Sequence, residues 1–370
     1  MKTTIALSAL LSITAFAKSQ PIPAIGIAPS HIAADPQHLL NRAKEWEETA
    51  GSVNLYKFYV GQLDPTLDWC SHFEPKPFVN TLQALKLENG AEFGDFGFYD
   101  GKDEGAKSAA DVIRRLQPIF DCGGKVALLH LDGPVRRMVK GVRTTPFGQL
   151  SVDEVALNLE SVAKELAVFF KNVHAKWPEM GIGLIVNLPN WDYNKEQAGS
   201  AGGWTETSGL YYEDILNRVY DELAATGENL AFVEIDCPYN YYRRTKTFKE
   251  DADCDNSAKF HLIQQWCRER DVKLHIIINT DPAATWNTRD LSDIAPEKIK
   301  SANRRFHDGV LAYIQQLHKD DITPDLMLIQ SWYRAPSANL PETEPGTFMN
   351  TAKEAAQLIR TLYRKKQGSQ

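Results

Sequence analysis

The fold class follows from one stretch of the sequence, LAFVEIDCPYNYY at Leu230 to Tyr242. This stretch reads as a buried β-strand that continues into an aromatic loop. Because side chains alternate between the two faces of a strand, Glu234 and Asp236 share one face, and Val233 and Ile235 share the other. A strand with one apolar face and one acidic face is typical of a barrel wall whose polar face lines the mouth.

Seven further runs share the apolar, β-rich composition of this strand. The eight predicted strands are Ala24–Ala28, Asn54–Val60, Phe93–Tyr99, Lys125–Leu131, Gly181–Leu188, Leu230–Cys237, Lys273–Asn279 and Leu326–Trp332. Segments with helical periodicity lie between them. The predicted helices are Gln37–Ala50, Ala106–Phe120, Val152–Lys176, Tyr212–Ala225, Ser257–Arg270, Glu297–His318 and Thr347–Lys366.

The alternation of strands and helices continues without a composition break or a low-complexity linker. This pattern predicts an α/β protein whose residues 18–370 form a single (β/α)8 TIM barrel with long βα loops. An open, doubly wound sheet is the alternative, but no Gly-rich phosphate loop follows the first strand. The helix predicted at Val152–Lys176 begins with a capping box, in which Ser151 precedes Glu154 by three residues.

Residues 1–17 are predicted to be a signal peptide. A basic start precedes the mostly apolar segment Thr4–Phe16, and Ala15-Phe16-Ala17 fits the small-x-small cleavage rule. No later stretch approaches about 18 consecutive apolar residues, so the protein is predicted to be secreted and to have no membrane partner. The net charge of -7, without a long basic tract, argues against nucleic acid as a partner.

The chain contains five cysteines without a CxxC pair or a Cys/His metal spacing, which disfavours a zinc ribbon. In an oxidising compartment, two disulfides with one cysteine left over are expected. Cys254 lies in a polar segment that needs tethering and is therefore the favoured member of one disulfide.

Active sites of (β/α)8 barrels lie at the C-terminal ends of the strands, so the inward face of each predicted strand supplies candidate site residues. Polar residues on one face of nearly every strand would be costly in a barrel that binds nothing. The candidates are Lys57, Tyr59, either Asp95 with Tyr99 or Asp100, His130, Asp132, Asn187, Glu234, Asp236, His275, Asn279, Gln330 and Trp332.

Several of these residues also have a purely structural interpretation. His275 lies early in its predicted strand, where a core histidine is more common than a functional one. Lys57 alternatively neutralises Glu234 or Asp236. Asp132 precedes a Gly-Pro pair and alternatively caps a turn.

Aromatic residues concentrate at or after the strand ends, and Trp191, Tyr239 and Trp332 are the predicted substrate platforms among them. Flat, amphipathic rings around a polar cleft suit the faces of pyranose sugars. The alternative is that these rings hold long loops against the barrel. The same two interpretations, a sugar platform or loop packing, apply to five further aromatic residues, which are Trp69, Trp204, Trp286, Tyr241 and Tyr242.

Carboxylates and aromatic platforms at a barrel mouth predict cleavage of glycosidic bonds. This reaction needs a carboxylic acid that protonates the leaving oxygen and a second carboxylate that acts as base or nucleophile. We predict that Asp236 or Glu234 is the acid and that Asp132 is the base or nucleophile. The predicted substrate-binding residues are Lys57, Tyr59, Tyr99, His130, Asn187, Trp191, Tyr239, Asn279, Gln330 and Trp332.

This organisation resembles the broad group of (β/α)8-barrel glycoside hydrolases, and the leader and aromatic loops look like those of a secreted fungal enzyme. The resemblance covers the mature chain, rests on architecture and implies a carbohydrate substrate. Common retaining members end strand four with Asn-Glu and strand seven with Glu. This chain has His130-Leu131-Asp132 and Asn279-Thr280-Asp281 at those places.

Other classes of function remain open beside the hydrolase, which is predicted to need no cofactor and to be a monomer. A polysaccharide lyase would use Lys57, Tyr59 or His130 as its base. A carbohydrate-binding protein would keep the barrel without the chemistry. A sugar isomerase, an epimerase or a metallohydrolase would hold a divalent cation with His130, Asp132, Glu234, Asp236 and Asn279.

Overall fold

The structure is a computed structural model. It describes residues 22–30, 36–67, 70–94, 96, 101–139, 156–197, 203–243, 256–280, 291–332 and 334–367. Several predictions therefore concern residues outside the described ones: the signal peptide, Ser151, Cys254, and the mouth candidates Asp95, Tyr99 and Asp100.

Eight parallel strands close into a barrel in sequence order, with β1 paired to β8. This confirms the predicted (β/α)8 fold. The strands are β1 (Ala24–Ala28), β2 (Leu55–Tyr59), β3 (Glu88–Phe93), β4 (Leu128–Asp132), β5 (Gly181–Asn187), β6 (Phe232–Asp236), β7 (Lys273–Ile278) and β8 (Leu326–Gln330).

Helices follow the strands along the described chain. They are α1 (Pro36–Asn41), α2 (Glu47–Ala50), α3 (Pro75–Ala84), α4 (Glu104–Asp121), α5 (Pro134–Met138), α6 (Leu159–Lys176), α7 (Trp204–Ser208), α8 (Tyr212–Ala225), α9 (Tyr239–Tyr242), α10 (Asn256–Glu269), α11 (Pro296–Lys319) and α12 (Phe348–Gln367). Among the described helices, none is long and apolar enough to cross a lipid bilayer.

The third strand lies earlier in the sequence than predicted. The prediction placed it at Phe93–Tyr99, whereas β3 runs from Glu88 to Phe93. The aromatic content of the later run suggested a strand, and β3 itself is polar and contains glycine. Gly90 faces the barrel interior, where a Cβ would lie 3.1 Å from Nε2 of His130, a tight contact. The correction brings Glu92, which the sequence analysis did not single out, onto the inner face of the barrel.

Two predicted helices also differ from the observed ones. The helix predicted from Val152 begins at Leu159, because Asn158 caps it: the Asn158 side chain accepts a hydrogen bond from the backbone N–H of Ser161 at 2.8 Å. The helix predicted at Gln37–Ala50 is divided into α1, a 3₁₀ turn and α2. Trp46 separates the last two, and its indole N–H donates to the carbonyl of Leu39 at 3.0 Å.

Apolar residues form two separate cores. The larger core fills the space between the strands and the surrounding helices. The smaller core lies inside the barrel and consists of Ala28, Leu55, Ile185, Ile277, Leu326 and Leu328. The polar interior residues are therefore set among apolar neighbours, which limits the access of water to them.

No disulfide joins any two of the four described cysteines, which are Cys70, Cys122, Cys237 and Cys267. Two disulfides among five cysteines would require at least one such bond. The predicted framework of two disulfides is therefore not present.

Candidate active site

The inward residues of the even-numbered strands form two stacked layers. Because residues two apart on a strand point the same way, each of these strands places one residue at the mouth and another one step deeper. The mouth layer consists of Tyr59, Asp132, Asp236 and Gln330, and the inner layer of Lys57, His130, Glu234 and Leu328. Contacts within each layer agree with this arrangement: Nε2 of Gln330 donates to the Tyr59 hydroxyl at 3.0 Å, and Nζ of Lys57 lies 3.1 Å from Oε1 of Glu234.

Asp236 is held in place by two amide side chains at the ends of the neighbouring strands. Nδ2 of Asn187 donates to one carboxylate oxygen at 3.3 Å, and Nδ2 of Asn279 donates to the other at 3.1 Å. Burial raises the pKa of Asp236 to about 7, and the negative charge of Asp132 contributes in the same direction. The hydrogen bond from Asn279 acts in the opposite direction, so Asp236 is an oriented carboxyl group whose pKa is raised from its usual value to near neutrality.

Asp132 lies in a different environment at the same level. Its Oδ2 lies 3.4 Å from Nη2 of Arg136 and 3.5 Å from Nη2 of Arg137, and its side chain is 20% exposed. Gly133, which has a positive φ of 56°, lets the Arg136 side chain fold back over it, since a Cβ there would lie 2.3 Å from Nε of Arg136. Two guanidinium groups therefore stabilise a negative charge on a carboxylate that solvent reaches.

Two amide oxygens near these carboxylates are buried without a hydrogen bond from the described residues. They are Oδ1 of Asn279 and Oε1 of Gln330, and both side chains are almost completely enclosed. A buried acceptor without a donor costs about 1–3 kcal/mol.

The inner layer holds a closed network of charges. Nζ of Lys57 lies 2.5 Å from Oε2 of Glu92 and 3.1 Å from Oε1 of Glu234. Burial alone would raise the pKa of Glu234, but contact with His130 and Lys57 outweighs burial and lowers it. For Glu92, burial outweighs the attraction of Lys57 and raises the pKa to about 8. Glu234 is therefore a paired anion and not a proton donor.

This network changes the sequence-based assignment of three residues. Glu234, predicted as a possible acid, and Lys57 and His130, predicted to bind substrate, are all buried in the inner layer. The alternative pairing of Lys57 with Glu234 is the one observed. Glu92 completes the network. The sequence analysis could have identified it, because a lysine buried between carboxylates indicates that an acidic residue lies on a neighbouring strand.

A group of potential metal ligands combines two residues of the inner layer with His275, which lies beside Glu234 on β7. One donor atom each from His130, Glu234 and His275 can be chosen so that all three lie within 4.8 Å of one another. Burial lowers the pKa of His130, and it lowers the pKa of His275 to about 3, so burial disfavours the charged form of both imidazoles. The predicted set of cation ligands does not form one group, because Asp132 and Asp236 belong to the mouth layer.

The three predicted aromatic platforms occupy different environments. Trp332 adjoins the mouth layer, where its ring meets that of Tyr59 edge-on at 5.6 Å. Tyr239 stacks on Tyr313 at 5.3 Å behind the strand ends. Trp191 is 3% exposed and packs against Trp204 at 5.5 Å, so it holds the loop and offers no open face.

Comparison with known proteins identifies the fold. Neither a protein-family model nor a curated protein sequence matches the chain. The catalytic domain of a β-amylase from Paenibacillus polymyxa is similar in structure, with a TM-score of 0.50 and 9% identity over 90% of this chain and 97% of that one. A glucosidase from Croceicoccus marinus has a TM-score of 0.47 and 10% identity over 91% of this chain and 68% of its own.

Sugar epimerases are also among the similar structures. A D-allulose 3-epimerase from Methylomonas sp. has a TM-score of 0.45 and 12% identity, over 94% of this chain and 100% of that one. At 9% identity, the similarity to the β-amylase domain shows the fold alone. The function must therefore be inferred from the residues at the barrel mouth.

Proposed function

We propose that the protein is a glycoside hydrolase that cleaves an oligosaccharide or polysaccharide at the barrel mouth. The observation that carries the proposal is the placement of Asp132 and Asp236 in the mouth layer. They end β4 and β6, which β5 separates, and the register sets Asp132 opposite Glu234, two residues before Asp236. At about 4.8 Å per strand spacing and about 3.3 Å per residue, the Cα atoms of Asp132 and Asp236 lie roughly 10–12 Å apart. Side chains that point inward from these positions leave room for a glycosidic bond and a water molecule between the carboxyl groups.

The two environments suggest one role for each carboxyl group. Asp236, which is enclosed and faces the negative charge of Asp132, is the general acid that protonates the leaving oxygen. Asp132, which contacts two guanidinium groups and solvent, is the base or the nucleophile. The division follows the general rule that a pair of carboxyl groups serves two functions when their surroundings differ.

One aromatic ring at the mouth provides a contact of the kind that a sugar requires. The Trp332 ring, which lies beside Tyr59, offers an apolar surface. The predicted signal peptide would place this activity outside the cell, on a carbohydrate that the protein meets after secretion.

The alternative reactions find less support in the site. A lyase base is lacking among the predicted residues, because Lys57 and His130 are sealed in the inner layer and burial raises the pKa of Tyr59 well above its usual value. An isomerase or epimerase that uses a metal needs its ion beside the substrate, whereas the ligand group of this barrel lies one layer below the mouth. A carbohydrate-binding protein without activity remains one outcome of the test.

The test is a screen for release of reducing ends from plant, fungal and bacterial glycans. Wild type is compared with Asp132→Asn and Asp236→Asn, and the matched control is Glu297→Gln, which changes an exposed carboxylate on α11. Each mouth variant should lose at least about a hundredfold in kcat, and the control should lose less than about twofold. Binding of a glycan without turnover by wild type would instead identify a carbohydrate-binding protein.

A second substrate separates the two roles. An aryl glycoside with an acidic phenol leaves without protonation, so Asp236→Asn should regain most of its activity on it. Asp132→Asn should remain inactive on both substrates. Equal recovery of both variants, or of neither, would contradict the assignment of acid and base.

A further inference from the structure

The group formed by His130, Glu234 and His275 has polar atoms that no neighbour satisfies. Nδ1 of His130 lies 2.9 Å from Oε2 of Glu234, and Nδ1 of His275 lies 3.9 Å from the same oxygen. The second contact is too long for a hydrogen bond, and the first, although short, does not give either atom a well-formed hydrogen bond. All three atoms are buried and lack a hydrogen-bond partner among the described residues.

Such an arrangement is costly if nothing is bound. A buried polar atom without a partner destabilises the fold, and here three of them face one another in the interior of a barrel. Oε1 of Glu234 is already occupied by Lys57, so the lysine does not serve the oxygen that the two imidazoles face. A single cation between Oε2 and the two Nδ1 atoms would satisfy all three.

We propose that the inner layer binds one divalent transition-metal ion of the zinc type through Nδ1 of His130, Oε2 of Glu234 and Nδ1 of His275. Imidazole and carboxylate are common zinc ligands, with bonds of about 2.0–2.2 Å. Two ligands of one ion therefore lie no more than about 4.2 Å apart. The two distances to Glu234, 2.9 Å and 3.9 Å, meet this limit, and one donor atom from each of the three residues lies within 4.8 Å of the others.

The rings are also positioned by their surroundings. The His275 ring stacks on Phe232 at 4.2 Å, and the His130 ring contacts the same phenylalanine at 4.7 Å. A fixed ring orientation is what a metal ligand requires. The site joins β4, β6 and β7 below the mouth layer, so the ion would stabilise the barrel without touching the sugar, and it is independent of the proposed hydrolysis.

The test uses the full-length purified protein, whose metal content is measured before and after dialysis against a chelator. The chelated protein is then titrated with Zn²⁺ and with Co²⁺. Wild type should bind one equivalent of Zn²⁺ and develop visible Co²⁺ absorption. Its Tm should fall by about 5 °C or more on metal removal.

Two variants locate the site. His275→Asn should weaken Zn²⁺ binding by roughly a hundredfold or more, since even changes outside the ligand set cost about 10- to 100-fold. The matched control is His261→Asn, which removes an exposed histidine on α10 and should bind as wild type does.

The proposal is overturned if folded wild type binds neither ion, or if its Tm is the same with and without chelator. Equal loss of binding in both variants would also overturn it. Should His275→Asn fail to fold, the Co²⁺ spectrum and metal stoichiometry of wild type decide the question. None of these measurements depends on glycan cleavage, so the two proposals fail separately.

Discussion

The mouth layer and the inner layer contain the same kinds of side chain, and they differ in what surrounds them. On β6, Glu234 and Asp236 are only two residues apart and point the same way. Glu234 contacts Lys57 and two histidines in a sealed interior, whereas Asp236 contacts two amides and faces Asp132 at the open end. Depth along the strand, and not residue type, therefore separates a stabilising carboxylate from a catalytic candidate.

The largest effect should come from removing the buried ammonium group of Lys57 from the inner layer. Lys57→Met should lower the free energy of unfolding by about 3–5 kcal/mol, because the ionised Glu234 would lose its cation and Glu92 its hydrogen-bond donor in a medium that does not solvate them. Urea unfolding at neutral pH measures this change. Lys298→Met, on the exposed face of α11, is the matched control and should cost less than about 0.5 kcal/mol. Similar losses in the two variants would mean that the inner network does not stabilise the fold.

The sequence predicted the barrel because each strand and helix carries its own periodic signal. It predicted the acidic inner face of β6 for the same reason, since alternation fixes which residues share a face. The same spacing predicted that Glu234 lies one layer deeper than Asp236, but it did not show that the deeper layer is a sealed charge network, because that depends on where β6 pairs with β5 and β7. The register places Asp236 beside Asn187 and leaves Glu234 beside His275.

Other features were hidden because they arise from contacts between distant segments. β3 has little strand propensity, and its position follows from pairing with β2 and β4. Glu92 was missed with it. Trp191 follows a strand end as a platform would, yet its ring is covered by Trp204 and Tyr212, which come later in the chain.

A smaller effect should come from filling the space beside the inner layer. Gly90→Ala would place a methyl group 3.1 Å from Nε2 of His130 and 3.3 Å from a methyl carbon of Leu55. This crowding should cost about 1–3 kcal/mol in the free energy of unfolding, measured by urea titration. Gly51→Ala is the matched control, since its Cβ would have no neighbour closer than 3.5 Å and its φ is -65°. A Gly90→Ala protein as stable as this control would show that the interior has spare room there.

The smallest effect concerns Asp64, a carboxylate outside both layers. Its Oδ1 accepts hydrogen bonds from the backbone N–H and the hydroxyl of Thr66 at 3.1 Å and 2.6 Å, and its Oδ2 lies 3.2 Å from Nη2 of Arg114. The Thr66 hydroxyl is the main cause that lowers the pKa of Asp64 to about 2. Since the folded-state pKa is lower than the unfolded value of about 3.9, ionised Asp64 stabilises the fold above pH 4, and this contribution disappears as the pH falls toward 2.

The Asp64→Asn variant should therefore be less stable than wild type by about 0.5–1 kcal/mol at pH 7, a modest amount because solvent screens the arginine contact. The difference should stay constant from pH 7 to pH 5 and shrink below pH 4, as measured by urea unfolding at each pH. A difference that persists unchanged at pH 3 would show that the turn at Asp64 needs the shape of the side chain and not its charge. Asp64 would then differ from Glu234 of the inner layer, which stabilises the fold through the charge that it presents to Lys57.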